Sequence, residues 1–213
     1  MSGAREDILG RIRSAIGHPS LARDRDYETV PRTYRQAGTL AAEALLDLFR
    51  SRIEHYGCGC VRCAREELPD ALSRTLTARG KRRLILPAGI PMDWLPAAFE
   101  FVRDQGLSDT DLDGCDGALT GCTVAIAQTG SIVLCHDEID GRRALTLIPD
   151  YHVCVIRADQ VVETVPEGLR HPRVAGSALV TTIAGPSATA DIEMTRIKGV
   201  HGPRTLDVVL VES

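Results

Sequence analysis

The stretch AGPSATADIEMTRIKGVHGPRTLDVVLV, Ala184 to Val211, gathers groups able to do chemistry within a short span. Asp191 and Glu193 offer carboxylates, Lys198 a cation, and His201 an imidazole suited to general acid–base work, set between Gly199 and Gly202. The first glycine–proline turn, Gly185-Pro186-Ser187, leads into text that reads as a helix of about three turns, with Ser187 or Thr189 as its cap and Gly199 past its end. Free N–H groups at such a turn favour an anion such as a phosphate or a carboxylate. Two acids would repel an anion unless its charge lay elsewhere. They suit hydroxyls, an amine, a metal or a proton better. The plainer alternative is joinery, since an acid in the first turn stabilises a helix dipole.

A second candidate is QTGSIVL, Gln128 to Leu134. Gly130 permits a left-handed backbone, and Thr129 and Ser131 flank it with hydroxyls. Consecutive N–H groups there could form an anion-binding concavity, or the turn could simply close a hairpin. The third is Cys58, Cys60 and Cys63. Zinc wants four ligands, and no second C-x-x-C occurs. On a strand Cys58 and Cys60 would face one side and Cys63 the other, which splits the set, so no metal is expected. No G-x-S-x-G elbow, P-loop or G-x-G-x-x-G run points to a hydrolase, an NTPase or a dinucleotide enzyme.

These groups must be positioned by elements the rest of the chain supplies. Its 213 residues suffice for one substantial core. A net charge of −4 gives no reason to expect nucleic acid, and no apolar run is long enough for a membrane span. The charged start lacks the apolar block of a signal peptide, so the expected location is cytoplasmic. Ile8, Leu9, Ile12 and Ile16 predict an amphipathic helix, followed by a polar linker to Gly38. Residues 1–38 then form an N-terminal arm and 39–213 one domain. Helices are expected from about Thr39 to His55, over AREELPDALSRTLTARG, and over MDWLPAAFEFVRDQG with a break at Pro96. CGCVRC, RRLILP, GALTGCTVAIAQ, SIVLC, YHVCVIR, ALVTTIAG and TLDVVLVE read as strands. Short, nearly continuous apolar strands between helices predict an α/β fold with a mainly parallel sheet, its ligand at a carboxyl-edge turn.

AIAQTGSIVL, then LIPDYHVCVIRADQVVETVPEGL, then GPSATADIEMTRIKGVHGP, resemble the LUD domain of the lactate utilization protein C family over roughly Gly57 to Glu212. The resemblance implies a fold like that of the ribose-5-phosphate isomerase, glucosamine-6-phosphate deaminase and coenzyme A transferase group. It implies a role in oxidising L-lactate to pyruvate beside two iron–sulfur partner proteins, with no cofactor in this chain itself. Gln128 departs from the pattern, being neutral where members often carry an acid. The site expected is a crevice between Thr129-Gly130-Ser131 and Gly185-Pro186-Ser187-Ala188-Thr189, closed by Lys198 to Pro203 with Gly202. A small carboxylate or phosphate-bearing ligand would rest there, with Asp191, Glu193 and His201 orienting it or moving protons. Two rivals remain: a stand-alone enzyme on a phosphosugar or coenzyme A thioester, and a non-catalytic assembly or regulatory protein that docks through the helix at residues 4–16.

Overall fold

The computed structural model describes residues 3–16, 29–189, 197–198 and 202–212, with the backbone alone at Ile16, Thr189, Ile197 and Lys198. It divides into two units, residues 1–34 and 35–213. In the first, helix α1 (Gly3–Ile16) leaves Ile8 and Ile12 of its apolar stripe exposed. None of the described helices is long and apolar enough to cross a membrane.

The second unit is built on a six-stranded parallel sheet. Its strands are β1 (Gly59–Ala64), β2 (Arg83–Leu86), β3 (Glu100–Arg103), β4 (Gly117–Thr120), β7 (Tyr151–Arg157) and β12 (Thr205–Glu212), in the order β1-β12-β7-β4-β2-β3. A second sheet holds β5 (Val124–Ile126), β6 (Ser131–Leu134), β8 (Val161–Val162) and β9 (Thr181–Ile183), in the order β8-β5-β6-β9. The fold is the α/β class with a mainly parallel sheet that the strand text predicts.

Alternation along β7 shows how the layers form. Tyr151, Val153 and Val155 point to one face, where they pack with Leu68, Leu72 and Leu76 of helix α3 (Leu68–Ala78). Cys154 and Ile156 point to the other, against Phe49 and Ile53 of helix α2 (Ala42–His55) and Ala125, Ile132 and Leu134 of the second sheet. α3 ends as its sequence demands. Gly80 takes φ +65°, Gly80 N–H donates to Thr77 O, and Lys81 N–H donates to Leu76 O. The cysteines divide as the strand reading requires. Cys58 and Cys60 pack on the α2 side and Cys63 on the α3 side. Burial pushes the thiols of Cys58 and Cys60 up to about 12, and that of Cys63 upward.

Three readings are corrected. GALTGCTVAIAQ is two strands, because the chain leaves the first sheet after Thr120 and joins the second at Val124. Gly121 N–H donates to Ile139 O and Thr123 N–H to Val133 O, so the crossing keeps its backbone bonded. MDWLPAAFEFVRDQG carries only a single 3₁₀ turn, Met92–Trp94, before β3. Leu95 is already extended ahead of Pro96, which disfavours a helical residue before it. The text after Ser187 was expected to be helical. Its described flanks instead pair as an antiparallel ribbon, β10 (Ala188–Thr189) with β11 (Ile197–Lys198), in register Ala188↔Lys198. Residues 190–196 between them lie outside the described part.

Candidate functional site

A cleft of about 480 Å³ opens at the amino ends of β7 and β12. Its walls include Arg143, Thr146, His152, Thr181, Pro203 and the turn Gly185–Ala188. The sequence placed this turn at the carboxyl edge of a parallel strand. It lies elsewhere because β9, which feeds it, pairs antiparallel with β6 in the second sheet.

Helix α2 sets the two expected turns side by side. Gly130, at φ +61°, lies so close to Arg52 that a Cβ would sit 2.8 Å from the arginine Cβ. Gly185, at φ +83°, presses on Tyr56 in the same way, at 2.6 Å. Arg52 and Tyr56 are four residues apart, one helical turn, so both glycines meet the same face of α2. Both positions need glycine for conformation and for space. The turns part company in what they line. Gly185, Pro186 and Ser187 form cleft wall, whereas Thr129, Gly130 and Ser131 are absent from its lining. Thr129 Oγ1 and Ser131 Oγ pair with each other at 2.8 Å, in the loop of the β5–β6 hairpin. Gln128 is exposed, and its N–H donates to Glu163 O.

The Lys198–Pro203 loop reaches the cleft at its end. Ser187 N–H donates to Pro203 O at 2.8 Å, and Gly202 lies beside Ser187 and Thr146. That turn N–H is therefore spent on closing the loop rather than on an anion. Ala188 is cleft wall, and Lys198 is paired with it in the ribbon. Thr189 lies next along β10. Asp191, Glu193 and His201 fall outside the described residues. Ala188 before them and Pro203 after them line the cleft.

The charge comes from residues the sequence reading missed. Arg143 is half-buried in a 3₁₀ turn, Arg143–Thr146, and its Nη1 donates to Thr146 O and Oγ1, both at 2.9 Å. It has no ion-pair partner among the described residues, and the described lining holds no carboxylate. His152 is buried, with Nε2 2.8 Å from Thr120 Oγ1. Burial first, and the Arg143 charge second, lower its pKa to about 4, so the imidazole is neutral near pH 7. A cleft whose described lining holds one cation and a neutral imidazole suits a small anion. Among the described residues no three His, Cys, Asp or Glu side chains converge to hold a metal.

The His152 environment predicts a pH profile. Unfolded, the ring binds its proton below about pH 6.5, whereas the folded ring does so only near 4. The unfolded state therefore holds more protons between those values, and stability falls as pH drops through that window and levels below it. The expected loss is about 3 kcal/mol. Urea unfolding between pH 7 and 4 measures it. His152→Gln should flatten that part of the curve, and an unchanged slope in the variant would refer it to another group.

With the geometry in place, comparison with known proteins decides the lineage. The LUD domain model matches residues 102–211, and a lactate utilization protein C of Deinococcus radiodurans is 45% identical over 183 residues, 84% of each chain. The chain belongs to the LUD domain family. A lactate utilization protein C of Oceanobacillus iheyensis is 22% identical over 98% of both chains. The crystal structure of a DUF162 family protein from Deinococcus radiodurans superimposes with a TM-score of 0.70 at 42% identity, covering 81% of this LUD chain and 99% of that one. The family match spans His152, Arg143 and the Gly185–Ser187 turn, so the cleft lies within the LUD domain.

Proposed function

We propose that this LUD protein works in lactate utilization, as a subunit of a system that oxidises L-lactate to pyruvate with iron–sulfur partner proteins. The names of its relatives point to the pathway. The observation that carries the assignment to a site is Arg143 beside a neutral His152, in a cleft whose described lining has no competing carboxylate. A guanidinium recognises a carboxylate through paired N–H donors, and among the described residues only Nη1 of Arg143 is bonded, to Thr146. The cleft size lies in the range of small-molecule sites.

Oxidation of L-lactate to pyruvate removes two electrons and two protons. In this reading clusters held by the partners would supply the electron acceptor, and this chain binds and orients the acid. Asp191, Glu193 and His201, carried on the segment whose ends meet the cleft, would orient the hydroxyl or move its proton. The test is L-lactate-dependent dye reduction by the iron–sulfur partners, with this chain present or omitted. Reduction is expected only when the chain is present. An equal rate without it sinks the subunit reading.

A further inference from the structure

We infer that the hydrogen-bond polarity of this cleft selects a hydroxy acid over the corresponding keto acid, through Thr181 and His152. The inference rests on the cleft being a small-carboxylate site, and it adds which acid the site prefers and which groups decide.

The first relay begins at His136. Its Nδ1 lies 2.9 Å from Gly141 O and its Nε2 2.7 Å from Thr181 Oγ1. A carbonyl can only accept, so Nδ1 carries a hydrogen, and a ring holding that one hydrogen shows a lone pair at Nε2. The Thr181 hydroxyl must donate to it. Thr181 lines the cleft, and with its one hydrogen spent it offers a ligand only lone pairs. His136 is the one non-glycine residue at positive φ, +57°, among the described residues. The backbone accepts an uncommon conformation where the ring makes both bonds.

The second relay begins at Thr120. Its hydroxyl lies 2.8 Å from Gly121 O and 2.8 Å from His152 Nε2. Sending its one hydrogen to the carbonyl leaves His152 Nε2–H to donate to Thr120, and Nδ1 with a lone pair that no described residue takes up. The opposite polarity would leave Gly121 O to the Cys154 thiol, a weaker donor 3.4 Å away. Thr146 follows the same rule, since its hydroxyl donates to Arg143 O at 3.3 Å while accepting from Arg143 Nη1.

Beside Arg143, then, His152, Thr146 and Thr181 of the described wall offer lone pairs. A carboxylate with a hydroxyl on the next carbon satisfies both needs: the anion goes to Arg143, and the O–H goes to His152 Nδ1 or Thr181. A keto oxygen has no hydrogen to give and meets lone pairs with lone pairs. A site built around a donor on its ligand rejects the analogue that lacks it.

The experiment is calorimetric titration of the full chain with L-lactate, pyruvate and propionate at fixed ionic strength. L-lactate should bind at least about tenfold more tightly than either of the others. Thr181→Val and Thr120→Val keep side-chain shape and should bring the lactate-to-pyruvate ratio toward one. Nitrogen NMR of the unaltered protein should find hydrogen at His136 Nδ1 and His152 Nε2. Pyruvate binding as tightly as lactate, a ratio unmoved in both valine variants, or hydrogen at His152 Nδ1 overturns the inference. Arg143→Ala separates the two failures. If it weakens all three acids alike while the wild-type ratio is near one, the site stands and the polarity argument falls. If no acid binds, or Arg143→Ala changes nothing, the carboxylate reading falls and takes this inference with it.

Discussion

Arg143→Ala should lower kcat/KM for L-lactate about 100-fold in the reconstituted oxidation, an effect of the size expected when a charge-assisted bond to a carboxylate is lost. The loss should appear mainly in KM, because the carboxylate carries the same charge in substrate and product and is held alike throughout. Arg143→Lys should recover part of it. An ammonium restores the charge but not the planar pair of donors. Arg143 also bonds Thr146 O and Oγ1, so a loosened turn is the competing explanation. Thermal unfolding distinguishes them. A midpoint close to wild type with a raised KM supports ligand recognition, whereas a large fall in midpoint with KM unchanged would refer the defect to the turn.

Asp207→Ala should cost about 3 kcal/mol of stability, roughly 10 °C in the unfolding midpoint of a chain this size. Asp207 is buried, and its carboxylate accepts four bonds. Arg79 Nε and Nη2 donate to it at 2.8 and 2.7 Å, the Tyr151 hydroxyl at 2.9 Å and Gly59 N–H at 3.1 Å. These partners come from β1, β7 and the end of α3, so one side chain of β12 ties three neighbours together. Its removal orphans the Tyr151 hydroxyl, which is wholly buried, and the Gly59 N–H. Arg79 is partly exposed and can return to water, which keeps the cost at the lower end for a buried pair. Tyr151→Phe should cost only about 1 kcal/mol, since it removes one bond without stranding a charge. Urea denaturation of the three proteins checks the order, and equal midpoints for Asp207→Ala and wild type would reject the argument.

The parallel sheet was legible because β7 and β12 bury both faces, which leaves YHVCVIR and TLDVVLVE almost continuously apolar. The Thr129–Gly130 hairpin and the split of Cys58 and Cys60 from Cys63 followed from a glycine turn and from simple alternation. Part of the cleft wall was legible too, in Gly185-Pro186-Ser187. Arg143 and His152 were not. Arg143 sits in GRRALT, where two adjacent arginines look like surface, and among the described residues only the neighbouring Arg142 has an ion-pair partner, Asp104. His152 was passed over as part of a strand. A histidine inside an otherwise apolar buried run was the available signal, because such a ring must find a partner or a cavity. Expecting a helix after Ser187 trusted local propensity, and the pairing of Ala188 with Lys198, ten residues on, overrode it.

The place of β12 has a consequence for how the protein is made. It is the last strand in sequence, yet it lies between β1 and β7, pairing Gly59 with Asp207 and Tyr151 with Thr205. A ribosome delivers β1 well over a hundred residues before the strand that joins it to the rest of the sheet. Until then two parallel edges stand open, and neither can pair with the other in the native order. Non-local parallel pairing is slow, and open edges invite wrong partners, so the nascent chain should lean on chaperones until β12 emerges. A ribosome-stalled chain ending before Thr205 should be cut readily by protease, and one with β12 outside the exit tunnel should resist.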